Sequence, residues 1–295
     1  ELMRSRQCGE HFLARTFAQL VEAPERVYIV AESLNGLDLL AWVQLHEEQR
    51  LRVTERRSAE LARQMLTAVH YLHRVAGVLH RDIRPENFAF AEQVGAGGEA
   101  PLPALKLLDF GLVWILPAPL TADTATELLP LQPCGAPQWM APEAWSGMTG
   151  APGDLWGVGL VTHLLLTMDL PYGLLRCRDR ASAHAALQNN GLVLDDDARW
   201  RQLSEPARAF VEGLLAREAA ERSASDSALA SAWLRAPGDG ASPLPPDDLP
   251  RLQRQGSNEH HPAFWSSVAR ASPQPSRPVP PWAGAAGRPR SARRG

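Results

Sequence analysis

Hydrophobic and polar positions recur along this chain with several distinct periods, and the periods mark out its elements. Residues 54–76 carry the clearest helical pattern: Leu61, Met65, Val69 and Leu72 repeat at steps of four and three, with charged residues opposite. Thr54 stands where an N-cap belongs and Gly77 where a helix stops. Residues 17–21 and 26–32 read as two β-rich runs around the turn signal Glu22-Ala23-Pro24-Glu25. After a second turn at Asn35-Gly36, residues 37–43 predict a short helix. Val78-Leu79 is a short apolar piece. Phe88-Ala89-Phe90 and residues 105–108 predict a strand pair, joined by a Gly-, Ala- and Pro-rich surface loop over 94–104. Residues 112–138 have little periodicity and several prolines, which predicts a loop. Residues 154–168 are apolar nearly all round, the pattern of a buried helix, and 203–215 and 226–234 predict amphipathic helices. There is no internal repeat. Beyond Arg235 the composition shifts to Pro, Gly, Ser and Arg, which predicts a disordered or polyproline-like tail over 236–295.

Composition narrows the possibilities. A length of 295 residues accommodates one large domain or two smaller ones. The net charge of −3 gives no electrostatic case for nucleic acid or an anionic membrane surface. Cys8, Cys134 and Cys177 lie far apart and form no CxxC, which argues for a reducing compartment, hence a cytoplasmic one, without a disulfide framework. The longest apolar run, 155–166, is too short to span a bilayer and is interrupted by Gly157, Gly159 and His163. No secretory or transit segment heads the chain, and its first residue is Glu, which reads as a fragment or a processed start. Lys106 is the only lysine; every other basic side chain apart from histidine is Arg.

The chemistry concentrates in one stretch, His80-Arg81-Asp82-Ile83-Arg84-Pro85-Glu86-Asn87, directly after the 54–76 helix and Val78-Leu79. An Asp here precedes an Asn by five residues, behind a His-Arg pair. Asp109-Phe110-Gly111 follows, and later Ala141-Pro142-Glu143. Any one triplet recurs by chance; all three strings in this order do not.

Over residues 27–234 the chain resembles a eukaryotic protein kinase of the serine/threonine type. Within that family it is most similar to the calcium/calmodulin-dependent and calcium-dependent protein kinases. The supporting strings are Pro85-Glu86-Asn87-Phe88-Ala89-Phe90, Leu107-Leu108-Asp109-Phe110-Gly111-Leu112 and Trp200-Arg201-Gln202-Leu203-Ser204-Glu205-Pro206-Ala207. Arg222-Ser223-Ala224-Ser225 before Ala232-Trp233-Leu234 also fits. The resemblance implies an α+β fold, mostly the helical large lobe with a remnant of the β-rich small lobe. It divides the chain into that remnant (1–31), a hinge (32–38), the large lobe (39–235) and the tail (236–295).

It also implies transfer of the ATP γ-phosphate to a protein hydroxyl with Mg²⁺. That reaction needs an acceptor for the hydroxyl proton, oxygen ligands for the metal and cations on the phosphates. Asp82 would be the acceptor, Asn87 and Asp109 the metal ligands, and Arg84 the cation on the γ-phosphate. Ala31 would be the gatekeeper, the backbone of Glu32 and Leu34 would meet adenine, Asp38 would lie near the ribose and Ala89 would floor the pocket. Small side chains at Ala31 and Ala89 predict a roomy nucleotide site, and the acidic Asp38 and Glu86 predict basic substrates. Glu143 would pair with Arg222 to tie the activation segment to the large lobe. Asp154 would hold the catalytic loop by its amides. Arg81 would be the partner of a phosphate on Thr121, Thr124 or Thr126.

The departures from the family pattern carry equal information. No glycine cluster precedes Val27, Lys106 is on the wrong strand to be the small-lobe lysine, and Gly95-Ala96-Gly97-Gly98 follows the catalytic loop instead of preceding the hinge. Glu1 is a poor fit for the helix Glu that would pair with such a lysine. The chain alone is therefore expected to be inactive, since that Lys–Glu pair must be in place for transfer. Arg84 replaces the usual Lys, and a planar fork differs from a point ammonium. Ala136 replaces a Thr whose hydroxyl braces the catalytic Asp, a loss of about 1 kcal/mol of positioning. These changes keep open an alternative, a pseudokinase acting as an interaction scaffold. A small-molecule phosphotransferase is disfavoured by Ala141-Pro142-Glu143 and the segment before it, which suit a protein substrate. Asp195-Asp196-Asp197 lacks the Gly and Glu of a calcium loop, so calcium is not expected to bind this chain.

Overall fold

The computed structural model describes residues 11–22, 26–97, 100–177, 179–189 and 198–235, all within one unit spanning 1–257. Glu1, Gly98, the Asp195-Asp196-Asp197 run and the 236–295 tail lie outside the described residues.

The chain opens with β1 (Thr16–Glu22) and β2 (Arg26–Ala31), paired antiparallel with Leu20 opposite Tyr28 and Val21 opposite Val27. Just before β1, Leu13 makes a parallel bridge to Leu107, so the hairpin is rooted on the strand that leads to Asp109. Helix α1 (Leu39–Glu48) begins two residues later and runs five further than the apolar spacing predicts. Its start is set by Asp38, whose Oδ1 accepts the Ala41 N–H at 2.8 Å.

Helix α2 (Glu55–Tyr71) is the expected amphipathic helix, capped by Thr54 Oγ1 on the Arg57 N–H at 3.3 Å. It continues as a π-turn, Leu72–Ala76, and stops at Gly77. Leu61, Met65 and Val69 are fully buried. Removing each such side chain from water contributes about 1.5–3 kcal/mol. β3 (Val78–Leu79) then leads into the loop 80–87. β4 (Phe88–Phe90) and β5 (Leu105–Leu107) form the expected antiparallel pair, with Phe88 opposite Leu107 and Ala89 opposite Lys106.

The stretch 112–138, expected to be loop, contains two short strands. β6 (Trp114–Ile115) pairs with β3, and β7 (Leu129–Pro130) pairs with a later strand. Two-residue strands pair through backbone alone and leave no side-chain period to read. After α3 (Pro142–Trp145), β8 (Met148–Thr149) is the partner of β7. Helix α4 (Ala151–Thr167) starts three residues before its expected position, and nearly all of it is buried. Gly157 allows α4 to touch the loop 80–87: a Cβ there would sit 2.7 Å from the Ile83 carbonyl oxygen.

α5 (Arg180–Asn189) and α6 (Ala198–Gln202) precede α7 (Glu205–Leu214), which Ser204 caps through the Ala207 N–H. The predicted helix over 226–234 is two short helices, α8 (Ser225–Leu229) and α9 (Ala232–Arg235). Ser231 breaks the run, its Oγ taking the Leu234 N–H at 3.4 Å and restarting the turn. The core holds Trp42, Trp156, Trp200, Phe88 and Phe90, with α2 packed on α4, α8 and β5, and α4 on α7. The fold is α+β, helices against small antiparallel pairs. Among the described residues no helix is long and apolar enough to cross a membrane.

Candidate active site

The loop 80–87 rests on a single buried carboxylate. Asp154, on the first turn of α4, accepts the His80 N–H on Oδ2 at 2.8 Å and the Arg81 N–H on Oδ1 at 2.7 Å. His73, from the π-turn, donates Nε2–H to the same Oδ2 at 2.7 Å. Burial alone would raise the Asp154 pKa, but the His73 hydrogen bond, the charges of His73 and His80 and the loop amides outweigh it and hold it low. The bonds sustain an unusual backbone: Arg81 has φ +70, a left-handed conformation that a non-glycine residue adopts at a cost of about 1–3 kcal/mol. His80 is fully buried, donates Nε2–H to the Leu108 carbonyl at 2.9 Å and meets the Phe110 ring edge-on at 5.4 Å.

Asp82 and Asn87 are brought together directly. Asn87 Nδ2 donates to the Asp82 carbonyl at 2.7 Å and to Asp82 Oδ2 at 3.1 Å. The other carboxylate oxygen, Oδ1, accepts the Ala136 N–H at 3.2 Å. The brace expected to be lost with the hydroxyl at position 136 is thus supplied in part by backbone. Gly135 permits the approach: its φ is +89, and a Cβ there would lie 2.9 Å from the Arg81 carbonyl oxygen.

Asp109 is drawn to the same place through its neighbour. Leu108 donates N–H to the Asn87 carbonyl at 2.8 Å while its own carbonyl receives His80. Asp109 itself has φ +55, and its Oδ1 accepts the Gly111 N–H at 3.1 Å. The charges of Asp82 and Asp109 both act on Arg84. The donor types suit a hard cation: the Asn87 NH₂ is committed to Asp82, which leaves its side-chain carbonyl oxygen, and Asp109 keeps Oδ2. Among the described residues no cluster of three His, Cys, Asp or Glu side chains offers an alternative metal site.

Arg84 is buried and ion-paired with Glu86. Burial works against its charge, but Glu86 first and then Asp82 and Asp109 raise its pKa above the ordinary guanidinium value.

The remaining predicted residues lie along the entry to α1. Ala31 is exposed at the end of β2, and Leu34 is half-buried. Glu32 Oε1 accepts both Lys106 Nζ and the Arg15 N–H, each at 2.7 Å. Burial would raise the Glu32 pKa, and these two donors and their charges lower it. Asp38 caps α1 and bridges to Ala89, which is 6% exposed and lies between Asp38 and Lys106. Asp38 therefore works as a helix cap in this structure, which weakens its place in the expectation of basic substrates.

Glu143 and Arg222 form the expected pair, two bonds of 2.6 and 3.0 Å with Arg222 buried. Arg81 donates to the carbonyls of Gln132 at 2.7 Å and Leu112 at 3.5 Å, and Thr121 and Thr124 bond to each other. A cavity of about 30 Å³ lies beside Asp82, bounded by Gly135, Trp139 and Met140. Two positioning residues escaped the sequence reading, His73 beneath the loop and Lys106 beneath Glu32. His73 falls at the end of a helical run where a polar residue looks solvent-facing. The solitary lysine in a chain rich in arginine was the one available signal for Lys106.

Comparison with known proteins points to one family. Residues 3–234 match the family described as the protein kinase domain. Ribosomal protein S6 kinase alpha-4 of Homo sapiens is 28% identical over 242 residues, covering 80% of this chain and 29% of that protein. Calcium-dependent protein kinase 10 of Oryza sativa subsp. japonica is 30% identical over 229 residues, 77% of this chain and 34% of that protein. Calcium-dependent protein kinase 1 of Arabidopsis thaliana is 30% identical over 228 residues, with 77% and 33% coverage. The chain thus spans about a third of the length of these curated relatives.

Proposed function

The chain belongs to the protein kinase family, and from that premise we propose that it carries the large-lobe half of an ATP- and Mg²⁺-dependent serine/threonine kinase site acting on a protein hydroxyl. The reading is supported by one observation, the Asp82–Asn87 contact together with the bond from the Leu108 N–H, one residue before Asp109, to the Asn87 carbonyl. In the proposal Asp82 accepts the proton of the substrate hydroxyl, its carboxylate aimed by the Asn87 amide and the Ala136 N–H. Asn87 and Asp109 hold Mg²⁺, which when bound neutralises charge on the phosphates. Arg84 is the cation available to the γ-phosphate. Ala31, Glu32, Leu34, Asp38 and Ala89 line the nucleotide side, with the Lys106–Glu32 bond fixing where that side begins. The division into 1–31, 32–38, 39–235 and 236–295 belongs to the same proposal.

Phosphoryl transfer is expected once a Gly-rich loop and a strand lysine are supplied, and the chain alone is expected to be inactive. In the completed protein Asp82→Asn should lower turnover by about 10²–10⁴-fold, the usual worth of a general base. Unchanged turnover in a radiolabelled-ATP assay would remove Asp82 from its role.

The second reading, a scaffold without catalysis, is supported by a specific observation: Arg84 is turned onto Glu86. Mg²⁺-dependent nucleotide binding separates the two, because a scaffold has no need of it.

A further inference from the structure

The link between β4 and β5 lies against α1 and α2, and three side chains from those helices hold it. Trp42 Nε1–H donates to the Gly95 carbonyl at 3.2 Å, the Gly97 N–H donates to His46 Nε2 at 3.3 Å, and Arg57 Nη2–H donates to the Ala100 carbonyl at 3.0 Å. Among the described residues of 92–103, no backbone–backbone hydrogen bond adds to these. Gly95 is exposed, and a Cβ there would meet nothing within 4 Å, whereas Trp42 and His46 beneath are buried. The segment is a strap over two buried rings. Both ring nitrogens of His46 are in use. Nδ1–H donates to the Trp42 carbonyl at 2.9 Å, so Nε2 is bare and takes the Gly97 N–H. A proton on Nε2 would set two donors face to face and break that bond. Burial, the largest cause, lowers the His46 pKa, and the charge of Arg57, facing it from α2, acts in the same sense; the bond to the Trp42 carbonyl acts against them and is outweighed. The Trp42 ring, 4.0 Å away on the same helix, stays beside His46 whether or not the strap is seated.

We propose that residues 93–97 form an acid-released strap, which protonation of His46 lifts off α1 to bare Trp42 while the rest of the molecule stays folded. The direction follows from linkage. The seated strap keeps His46 buried and its pKa below the ordinary value, so the closed form binds fewer protons than the open one. Closure is therefore complete above the ordinary imidazole value of about 6.5 and weakens as pH falls toward the value of the closed form. Opening requires little else to break, because the strap has no backbone pairing of its own among the described residues. The device is independent of the kinase reading, since Asp82, Asn87 and Asp109 make none of these bonds.

Hydrogen exchange of the whole chain tests it, read at the amides of Gly95, Ala96 and Gly97 and expressed as protection over the unfolded-peptide rate. From about pH 7.5 to about 5.5 that protection should fall by up to about tenfold, the change one imidazole of ordinary pKa brings when the closed form stays neutral. The amides of α2 should keep their protection over the same range. His46→Gln should hold strap protection level with pH, because its amide oxygen can take the Gly97 N–H and gains no proton. Constant wild-type protection, an equal fall in His46→Gln, or an equal fall in α2 overturns the strap. If His46→Gln does not fold, the nitrogen-15 shifts of the His46 ring in the wild-type chain replace it. Protonation of Nε2 should follow the same pH course as the loss of strap protection, and opening while Nε2 stays bare overturns the proposal.

Discussion

The loop 80–87 and the hairpin of β1 and β2 are held by opposite means. The loop has almost no regular structure, yet it is fastened from beneath by Asp154, which serves two of its amides and His73, and α4 is pressed against Ile83 across Gly157. The hairpin has regular backbone pairing, and two of its apolar side chains face solvent. Phe17 is 61% exposed and Val30 44%, and a two-stranded hairpin alone is marginal in water. At its root the hairpin is tied by the Leu13–Leu107 bridge and the Lys106–Glu32 bond. Accuracy of placement therefore follows from buried polar bonds supplied by a distant element, and regular backbone pairing does not guarantee it. Asp82 and Asn87 sit in the loop that Asp154 fastens, whereas Glu32 is held by Lys106 and by the backbone of Arg15.

Removing the loop's support should have the largest effect. Asp154→Ala leaves His73 and two amides unpaired in the interior and is expected to cost about 3–5 kcal/mol. Urea unfolding followed by far-UV circular dichroism would show it as a lower midpoint; a loss under 1 kcal/mol would mean that the loop is held otherwise. Lys106→Met is expected to act locally, costing about 1–3 kcal/mol at the hairpin root. Hydrogen exchange should quicken at the amides of β1 and β2 while those of α2 and α4 keep their protection; uniform quickening would show that the hairpin is not a separate unit. Thr54→Ala should cost about 1 kcal/mol globally through loss of the α2 cap, without altering exchange in the hairpin.

The smallest effect is that of pH. Burial, as the leading cause, lowers the pKa of both His46 and His70, so the folded state binds fewer protons there than the unfolded state. Their contribution is complete above the ordinary imidazole value of about 6.5 and is lost as pH falls through their folded values. For His46 the geometry agrees, because Nδ1–H donates to the Trp42 carbonyl and Nε2 accepts the Gly97 N–H, a bond that protonation removes. Asp154 and Glu32, both lowered, continue the loss further into acid. The unfolding temperature should be flat from pH 8 to 7 and fall below pH 6.5, and His46→Gln should flatten the upper part of that fall.

Much of the fold was legible because burial here is written with helical period. Leu61, Met65, Val69 and Leu72 announced α2, and Thr54 and Gly77 its ends. The Phe88–Phe90 pair with β5 was equally plain. Strands β6 and β7 were not, since two residues carry no period, and α5 escaped because Arg180–Asn189 buries only Ala183 and Leu187. The site divides in the same way. Asp82, Asn87 and Asp109 stand in strings whose spacing is informative. The Glu143–Arg222 and Asp154 contacts were expected through family resemblance alone, because nothing in a linear chain marks partners separated by 79 or 73 residues. The Lys106–Glu32 bond, spanning 74 residues, had no such guide. Nor did Arg84 turning to Glu86, since their spacing is equally compatible with both side chains reaching outward.

The most direct measurement is nucleotide affinity of the chain against Mg²⁺ concentration, by isothermal titration with ATP, for wild type, Asp109→Asn and Asn87→Ala. If Asp109 and Asn87 are the oxygen ligands beside Asp82, wild-type affinity rises with Mg²⁺ and both variants lose that rise. ATP affinity indifferent to Mg²⁺ in the wild type, or a rise that persists in both variants, would contradict the convergence of these residues on a nucleotide's phosphates.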